Sequence, residues 1–460
     1  MDVTFLGAAR EVTGSCHLVR VGRSAVALDF GLFQGRRAEM HERNLAIPFA
    51  PEDVNAIVLS HAHIDHSGRL PLLARYGFDR PVYATPATRD LCAIMLADSA
   101  HIQEKDAEFL ARRGKSFASP LYDQRDVARL MGRMSSVPYH VPFDVAPGLR
   151  ATFVDAGHLL GSASVVLDCV ENGVSRRLVF SGDVGRWGLP IIRDPEPPQG
   201  ADVVIMESTY GDRDHPSVAQ LPDQLGAIVR ETAAKGGRVI IPAFAVGRTQ
   251  ELLYDLHKLT RAGAIPPIPI VLDSPLAIAA TSIFATNPDA FDRGEELVTA
   301  VEDLFDFSRL EFARDAAASK ALNERHGPMV VLAASGMAES GRILHHLTHG
   351  APDPRNTILI VGFQAEHTLG RRIVERRPML KVFGDEVPLR ARVEVLNGYS
   401  AHADRGELRR WLNAVRGSPD RKLAVHLVHG EPSAQDAFAK VLRDDGYSVT
   451  TPERGTRQTF

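Results

Sequence analysis

The sequence predicts an α/β protein in which strand layers covered by helices are interrupted by an inserted parallel α/β segment. Three observations carry this reading. The first 208 residues hold two series of strand-like runs with helical stretches between them. From about Thr209 strand and helix alternate strictly. The last stretch, from about residue 389, returns to strands followed by polar loops and helices. At 460 residues the chain is too long for one ordinary core. The division expected is therefore 1–208, an inserted domain 209–388, and a return segment 389–460.

In the first part "DVTFLGAA", "CHLVRV" and "SAVALDFG" read as strands, the last two joined at Gly22-Arg23. "AIVLS" is a short buried strand. "GRLPLLARYG" and "TRDLCAIMLADSAHIQEKDAEFLARR" are helical in pattern. A second strand series follows, in "RATFVDAG", "ASVVLDCV", "RRLVFSGD" and "ADVVIMES". In the middle part "GRVIIPAFAVGRTQELLYDLHKL", "IPIVLDS", "PMVVLAASG" and "NTILIVGF" read as a parallel α/β unit. At the end, "RVEVLNGYSAHAD" and "KLAVHLVHGEP" are each followed by a helix. Asp404 and Glu407 predict a capping box at the first of these.

Composition narrows the class. Hydrophobic content of 44% and charged content of 24% are those of a globular protein. No basic segment followed by an apolar stretch opens the chain, and no apolar run approaches a membrane span. Three widely spaced cysteines, Cys16, Cys92 and Cys169, predict a reducing cytoplasm and no disulfide framework. A net charge of −4 means that nucleic-acid binding must come from a local basic patch.

The densest chemistry lies in "VLSHAHIDHSGRLP", which places His61, His63, Asp65 and His66 after an apolar run. Alternate residues of an extended segment point the same way, so His61 and His63 can converge on one ion. Asp65 and His66 lie where the chain turns and can face a second. Two ions need further ligands, and three strand ends supply them. "DAGHLLGSAS" gives His158, "LVFSGDVG" gives Asp183 with Gly182 and Gly185 about it, and "VHLVHGEP" gives His429. Each alone is more often a cap or turn residue; together with the opening cluster they make a set of seven.

H-x-H-x-D-H followed by a distant His, a distant Asp and a final His resembles the metallo-β-lactamase fold. "ESTYGDRDH", "GYSAHAD" and "LVHGE" resemble motifs A, B and C of its β-CASP nucleases. "PAFAVGRTQELL", "SGMAESGRILHHL" and "LGRRIV" resemble the β-CASP insertion. The likeness covers nearly the whole chain. It is nearest to the RNA-processing branch, which includes the endonuclease subunit of the cleavage and polyadenylation specificity factor and its bacterial relatives.

The resemblance implies an αββα sandwich with an inserted α/β β-CASP domain and two zinc ions per chain. His61, His63 and His158 would hold one zinc. Asp65, His66 and His429 would hold the other, and Asp183 would bridge them. Asp29, in "LDFG", would orient ligands without binding metal. The activity implied is a ribonuclease with a two-metal hydroxide mechanism. His402 would be the general acid, with Glu207 orienting it or serving only as a structural strand-end carboxylate.

Substrate contacts are expected from Ser400, Arg248 and Arg371, the last within a run that also holds Arg372, Arg376 and Arg377. Such a run is most often a solvated helix face. Glu339 and Arg342 read either as contacts between domains or as helix caps. The partner expected is single-stranded RNA, admitted to a narrow cleft under the inserted domain; no membrane is expected, and a homodimer is a candidate assembly. Three alternatives remain: a DNA nuclease of the same group, a small-molecule hydrolase, or an inactive RNA-binding scaffold. The DNA-directed relatives carry Val where this chain has His429. Neither end shows a separate RNA-specificity module such as a KH domain.

Overall fold

The computed structural model describes residues 1–460 except 36, 113–118, 288–290, 292–306, 363 and 419. They form two compact units. Unit 1 comprises Met1–Trp187, Arg193–Asp214 and His402–Phe460; unit 2 comprises Gly188–Ile192 and His215–Ala401. The boundaries read from sequence at 208/209 and 388/389 thus stand at 214/215 and 401/402. Strand pairing explains the shift. Arg392–Val395 lies parallel to Thr357–Ile360 in the unit 2 sheet, and Tyr210 bridges Asp404 within unit 1.

Unit 1 contains two seven-stranded sheets among the described residues. The first runs in the spatial order Arg457–Thr459, Asp2–Gly7, Cys16–Val21, Ser24–Leu28, Ala56–Val58, Val82–Ala84, Met134–Ser136. The second runs Ser448–Thr450, Ala424–Val428, Val203–Glu207, Val174–Phe180, Ala163–Glu171, Leu149–Asp155, Phe143–Ala146. Successive side chains of a strand face opposite ways, and the core divides accordingly. Val203 and Ile205 join Val3, Phe5, Val26 and Val58 between the sheets. Val204 and Met206 face the other way, against Leu408, Trp411 and Leu412 of the helix Arg405–Arg416 and Phe438 of the helix Pro432–Asp444. The expected capping box is formed: Asp404 accepts from the Glu407 N–H at 2.8 Å, and Glu407 accepts from the Asp404 N–H at 3.0 Å.

The long helical reading corresponds to Pro86–Arg112, and its last residue, Arg113, lies outside the described residues. Among the described residues no helix is long and apolar enough to cross a membrane.

One core residue is costly to protonate. His17 is fully buried, with Phe5 and Phe180 at ring-centroid distances of 5.5 and 5.4 Å. Neither of its ring nitrogens has a hydrogen-bond partner among the described residues. Burial above all, with the imidazoles of His66 and His429 adding to it, pushes its pKa from 6.5 down to about 3. The unfolded chain therefore takes the proton first. Stability is complete above about pH 6.5 and is lost toward about pH 3, by about 1.4 kcal/mol per pH unit. His17→Phe is expected to remove that slope. Its urea midpoint should exceed the wild type's by a margin that widens as pH falls; a constant margin would contradict the assignment.

Unit 2 holds a six-stranded, wholly parallel sheet, in the order Leu310–Phe312, Ile270–Leu272, Met329–Ala333, Arg238–Pro242, Thr357–Ile360, Arg392–Val395. Its apolar strands read as buried on both faces, as parallel strands require. Ile240, Ile358, Ile360 and Val393 pack with Ile343 and Leu347 of the helix Ile343–Gly350. A hairpin absent from the sequence reading, Met379–Val382 with Asp385–Pro388, turns at Phe383 and Gly384, both at positive φ.

Candidate metal centre

The site is built in unit 1 from strand ends. Asp29 follows Ser24–Leu28, and the 61–66 cluster follows the parallel strand Ala56–Val58. In the second sheet, Leu149–Asp155, Val174–Phe180, Val203–Glu207 and Ala424–Val428 all run the same way, since two antiparallel pairings separate the first from the second. His158, Asp183, Glu207 and His429 therefore emerge at one edge. Glycine permits the close approach: a Cβ at Gly31 would lie 1.5 Å from the Asp65 carbonyl oxygen.

The nitrogens of His61 (Nε2) and His158 (Nε2) lie 3.1 and 3.2 Å from His63 Nδ1, and each is 3.5 Å from Asp183 Oδ2. His66 Nε2 lies 3.2 Å from His429 Nε2 and 3.3 Å from Asp183 Oδ1, and His429 Nε2 is 3.5 Å from Asp65 Oδ2. A tetrahedral zinc with bonds of about 2.0–2.1 Å sets its ligand atoms about 3.3–3.4 Å apart. The observed spacings fit such a cation. Each carboxylate oxygen of Asp183 faces a different histidine set. The seven side chains fall into two groups able to hold a metal, His61/His63/His158/Asp183 and Asp65/His66/His429.

The supporting contacts fix which nitrogens point inward. His66 Nδ1–H donates to Asp29 Oδ2 at 2.7 Å, leaving Nε2 toward the centre. Asp29 also accepts from the Ser60 N–H at 2.8 Å and from the Ser60 and Ser15 hydroxyls at 3.0 Å each. It takes a left-handed backbone conformation, φ +60°, unusual for a residue with a side chain. His429 Nδ1–H donates to Thr209 Oγ1 at 3.0 Å, and that hydroxyl donates to the His429 carbonyl. Sequence reasoning missed Ser15, Ser60 and Thr209. Ser60 abuts His61, but a small hydroxyl residue beside a ligand carries no signal of its own. Asp29→Ala is expected to weaken divalent-metal affinity by about 10–100-fold, read by competition with a chelator; unchanged affinity would remove Asp29 from the support.

Charge suits a cation as well. Burial keeps His61 and His158 well below the ordinary imidazole pKa and His63 at about 4, so their lone pairs are available near neutrality. Burial opposes the Asp183 carboxylate, yet the surrounding imidazoles of His429, His66, His402 and His61 hold its pKa well below the usual range.

His402 stands beside this set. Its Nδ1 lies 3.1 and 3.2 Å from the two oxygens of Glu207, and its Nε2 is 3.9 Å from Asp183 Oδ2. Burial opposes the imidazolium, but the carboxylates of Glu207 and Asp183 overcome it and raise the pKa to about 9. The ring is held through the backbone: His402 bridges Gly185, and the Ala403 N–H donates to the Val184 carbonyl at 2.8 Å. Glu207 is fully buried and also accepts from the Val184 and Thr209 N–H groups. A third metal-capable grouping, Asp183/Glu207/His402/His429, overlaps the other two.

The expected substrate contacts lie in unit 2. Ser400 is buried at the end of the turn Asn397–Tyr399. Arg248 is only 5% exposed and pairs with Glu251. Arg371 is partly exposed and pairs with Glu375 at 3.1 Å, as Arg377 does at 3.0 Å. Arg342 donates to Asp273, and Glu339 accepts from the Leu369 N–H, both within unit 2.

The chain matches the metallo-β-lactamase superfamily over residues 9–214 and the β-CASP domain over 249–373. It matches the RNA specificity domain of zinc-dependent metallo-hydrolases over 386–452. The sequence reading had found no separate module such as a KH domain at either end; the matched segment lies inside the chain and includes residues of both units. The chain is 41% identical to a ribonuclease of Thermus thermophilus, covering 99% of each. It is 32% identical to the transcription termination factor FttA of Methanosarcina mazei, covering 94% of this chain and 67% of that protein. It is 34% identical to the factor of the same name from Pyrococcus abyssi, covering 98% and 70%. The crystal structure of a protein of unknown function from Enterococcus faecalis V583 shares the fold, with a TM-score of 0.53 at 12% identity over 99% of each chain. With its clustered histidines and aspartates, the chain belongs to the β-CASP branch of the metallo-β-lactamase superfamily and is a metal-dependent hydrolase.

Proposed function

We propose that this chain is a zinc-dependent ribonuclease that hydrolyses phosphodiester bonds of single-stranded RNA with two zinc ions. The observation that carries the reading is Asp183, whose two oxygens face two separate histidine sets. His61, His63 and His158 would hold one ion, Asp65, His66 and His429 the other, and Asp183 both. Two zinc ions in such a site supply Lewis-acid activation of a phosphodiester and of water near neutral pH. The chain's own groups do the rest. His402 holds a proton on Nε2 for the departing 3′ oxygen, while Glu207, accepting from Nδ1, fixes the ring's direction.

RNA is favoured by the match to an RNA specificity domain and by the ribonuclease among the relatives. A single strand is favoured by the burial of the ligands, since His61, His66, His158 and Asp183 are each at most 2% exposed. A paired strand cannot bend one phosphate into such a recess without unpairing. The test is incubation of end-labelled RNA, matched DNA and a blunt RNA duplex with purified protein, resolving products over time. Rapid cleavage of unstructured RNA, with slow cleavage of the DNA and the duplex, is expected. Equal rates on RNA and DNA would overturn the substrate, and equal rates on duplex and single strand would overturn the strandedness.

A further inference from the structure

We propose that unit 2 carries a phosphate-binding site of its own, in a cavity at the N-terminal edge of its parallel sheet lined by Arg238, Arg355, His326, His349 and Asn323. It uses no residue of unit 1 and does not depend on the hydrolase reading.

Three neighbouring strands of the sheet, Arg238–Pro242, Met329–Ala333 and Thr357–Ile360, begin at this edge. The segments leading into them form the walls. Gly236 precedes the first strand, Asn323 to Gly327 precede the second, and His349 to Asn356 precede the third. The walls leave room: a Cβ at Gly236 or Gly327 would meet nothing within 4 Å. The cavity measures about 240 Å³. That is below the roughly 300–1,000 Å³ of sites for drug-sized ligands, so the occupant is a small group.

The lining chooses an anion. The Arg238 guanidinium donates to the backbone carbonyls of Leu322 and Arg325, which fix its plane without neutralising its charge. Among the described residues it forms no ion pair. Burial, and the charges of Arg325 and Arg355 against that of Asp353, hold its pKa below the ordinary arginine value. A guanidinium in that state gains from a bound anion. Arg355 turns its Nε and Nη2, at 3.1 and 2.7 Å, to Asp353, the one carboxylate among the described lining residues, and its Nη1 lies outside that pair. His326 and His349 add imidazole donors. The Asn323 side chain supplies the independent sign of a ligand: its Oδ1 is buried and has no hydrogen-bond partner. An amide can present either its oxygen or its NH2, so Asn323 can donate to an oxyanion at no cost to the fold. The Arg238 guanidinium, the remaining donor of Arg355, imidazoles and an amide suit the tetrahedral oxygens of phosphate.

The shared chemistry has two sources, free phosphate or a mononucleotide on one hand and the RNA backbone on the other. The test is equilibrium dialysis of the full chain against radiolabelled inorganic phosphate. It is run also in the His61→Ala chain, so that phosphate held at the metal centre is not counted. One phosphate per chain is expected to remain in His61→Ala. Asn323→Asp, nearly isosteric and placed where no bond is lost, should weaken it by about tenfold or more through like-charge repulsion. Asp353→Asn should tighten it, a gain that a merely structural carboxylate would not give. Circular dichroism confirms that each variant is folded. No phosphate retained by His61→Ala, or identical binding in wild type, Asn323→Asp and Asp353→Asn, would overturn the site. Adding an unlabelled oligoribonucleotide to the His61→Ala chain then names the source. Displacement of the labelled phosphate supports the site with RNA backbone as its ligand, and retention supports it with free phosphate or a mononucleotide.

Discussion

Asp183→Ala is expected to abolish hydrolysis and to strip metal from both halves of the centre while the fold persists. Its two oxygens lie 3.3–3.5 Å from His61, His66 and His158, so one truncation removes a ligand from each set. The truncation also leaves the imidazoles without the carboxylate that offsets an incoming charge. Metal-assisted stabilisation of a transition state is worth several kcal/mol. At about 1.4 kcal/mol per tenfold, the loss is about a thousandfold or more. The fold should survive because Asp183 lies in the loop after Val174–Phe180, outside the core that Phe180 and Ile205 share with Phe5 and Val58. Elemental analysis, the rate on unstructured RNA and the far-ultraviolet circular dichroism spectrum check the three parts. A variant with full metal content and an unchanged rate would remove Asp183 from the centre.

His402→Ala should separate metal binding from chemistry. The ring faces Glu207 on one side and stands 3.9 Å from Asp183 on the other, against 3.3–3.5 Å from Asp183 to His61, His66 and His158. The variant should keep both metals and lose on the order of 10²–10⁴ in kcat, the usual worth of a positioned general acid. A substrate whose leaving oxygen needs no proton should recover much of that loss. Loss of metal instead would mean that the grouping of Asp183, Glu207, His402 and His429 is real and that His402 is a ligand. Glu207→Gln keeps a hydrogen-bond acceptor for Nδ1, so it should cost less than His402→Ala.

Much of this was legible because strand ends are legible. Apolar runs such as "AIV", "VVIME" and "AVHLV" fix where a chain leaves a sheet, and the clustered histidines and carboxylates follow them within a few residues. The capping box at Asp404 was legible for the same local reason. The short strands Val82–Ala84, Met134–Ser136 and Ser448–Thr450 were not, since none sits in a longer apolar run like the "AIVLS" about Ala56–Val58. The hairpin at Phe383-Gly384 was hidden by charged residues on its exposed face.

Long-range partners were the larger omission. Nothing in the sequence ties Thr209 to His429 or Ser15 to Asp29. Those pairs form when separate strands bring their ends together. Arg248 shows another limit: the sequence places it in a motif expected to face substrate but carries no sign of its ion pair with Glu251, three residues along its own helix. A helix start gives no sign of whether its arginine points to solvent or back along the helix.

The most direct test of the centre is the metal content of active protein purified without added metal or chelator. Elemental analysis should find two zinc ions per chain, and their removal should abolish RNA hydrolysis reversibly. Active protein with no stoichiometric divalent metal would contradict the assignment of all seven ligands.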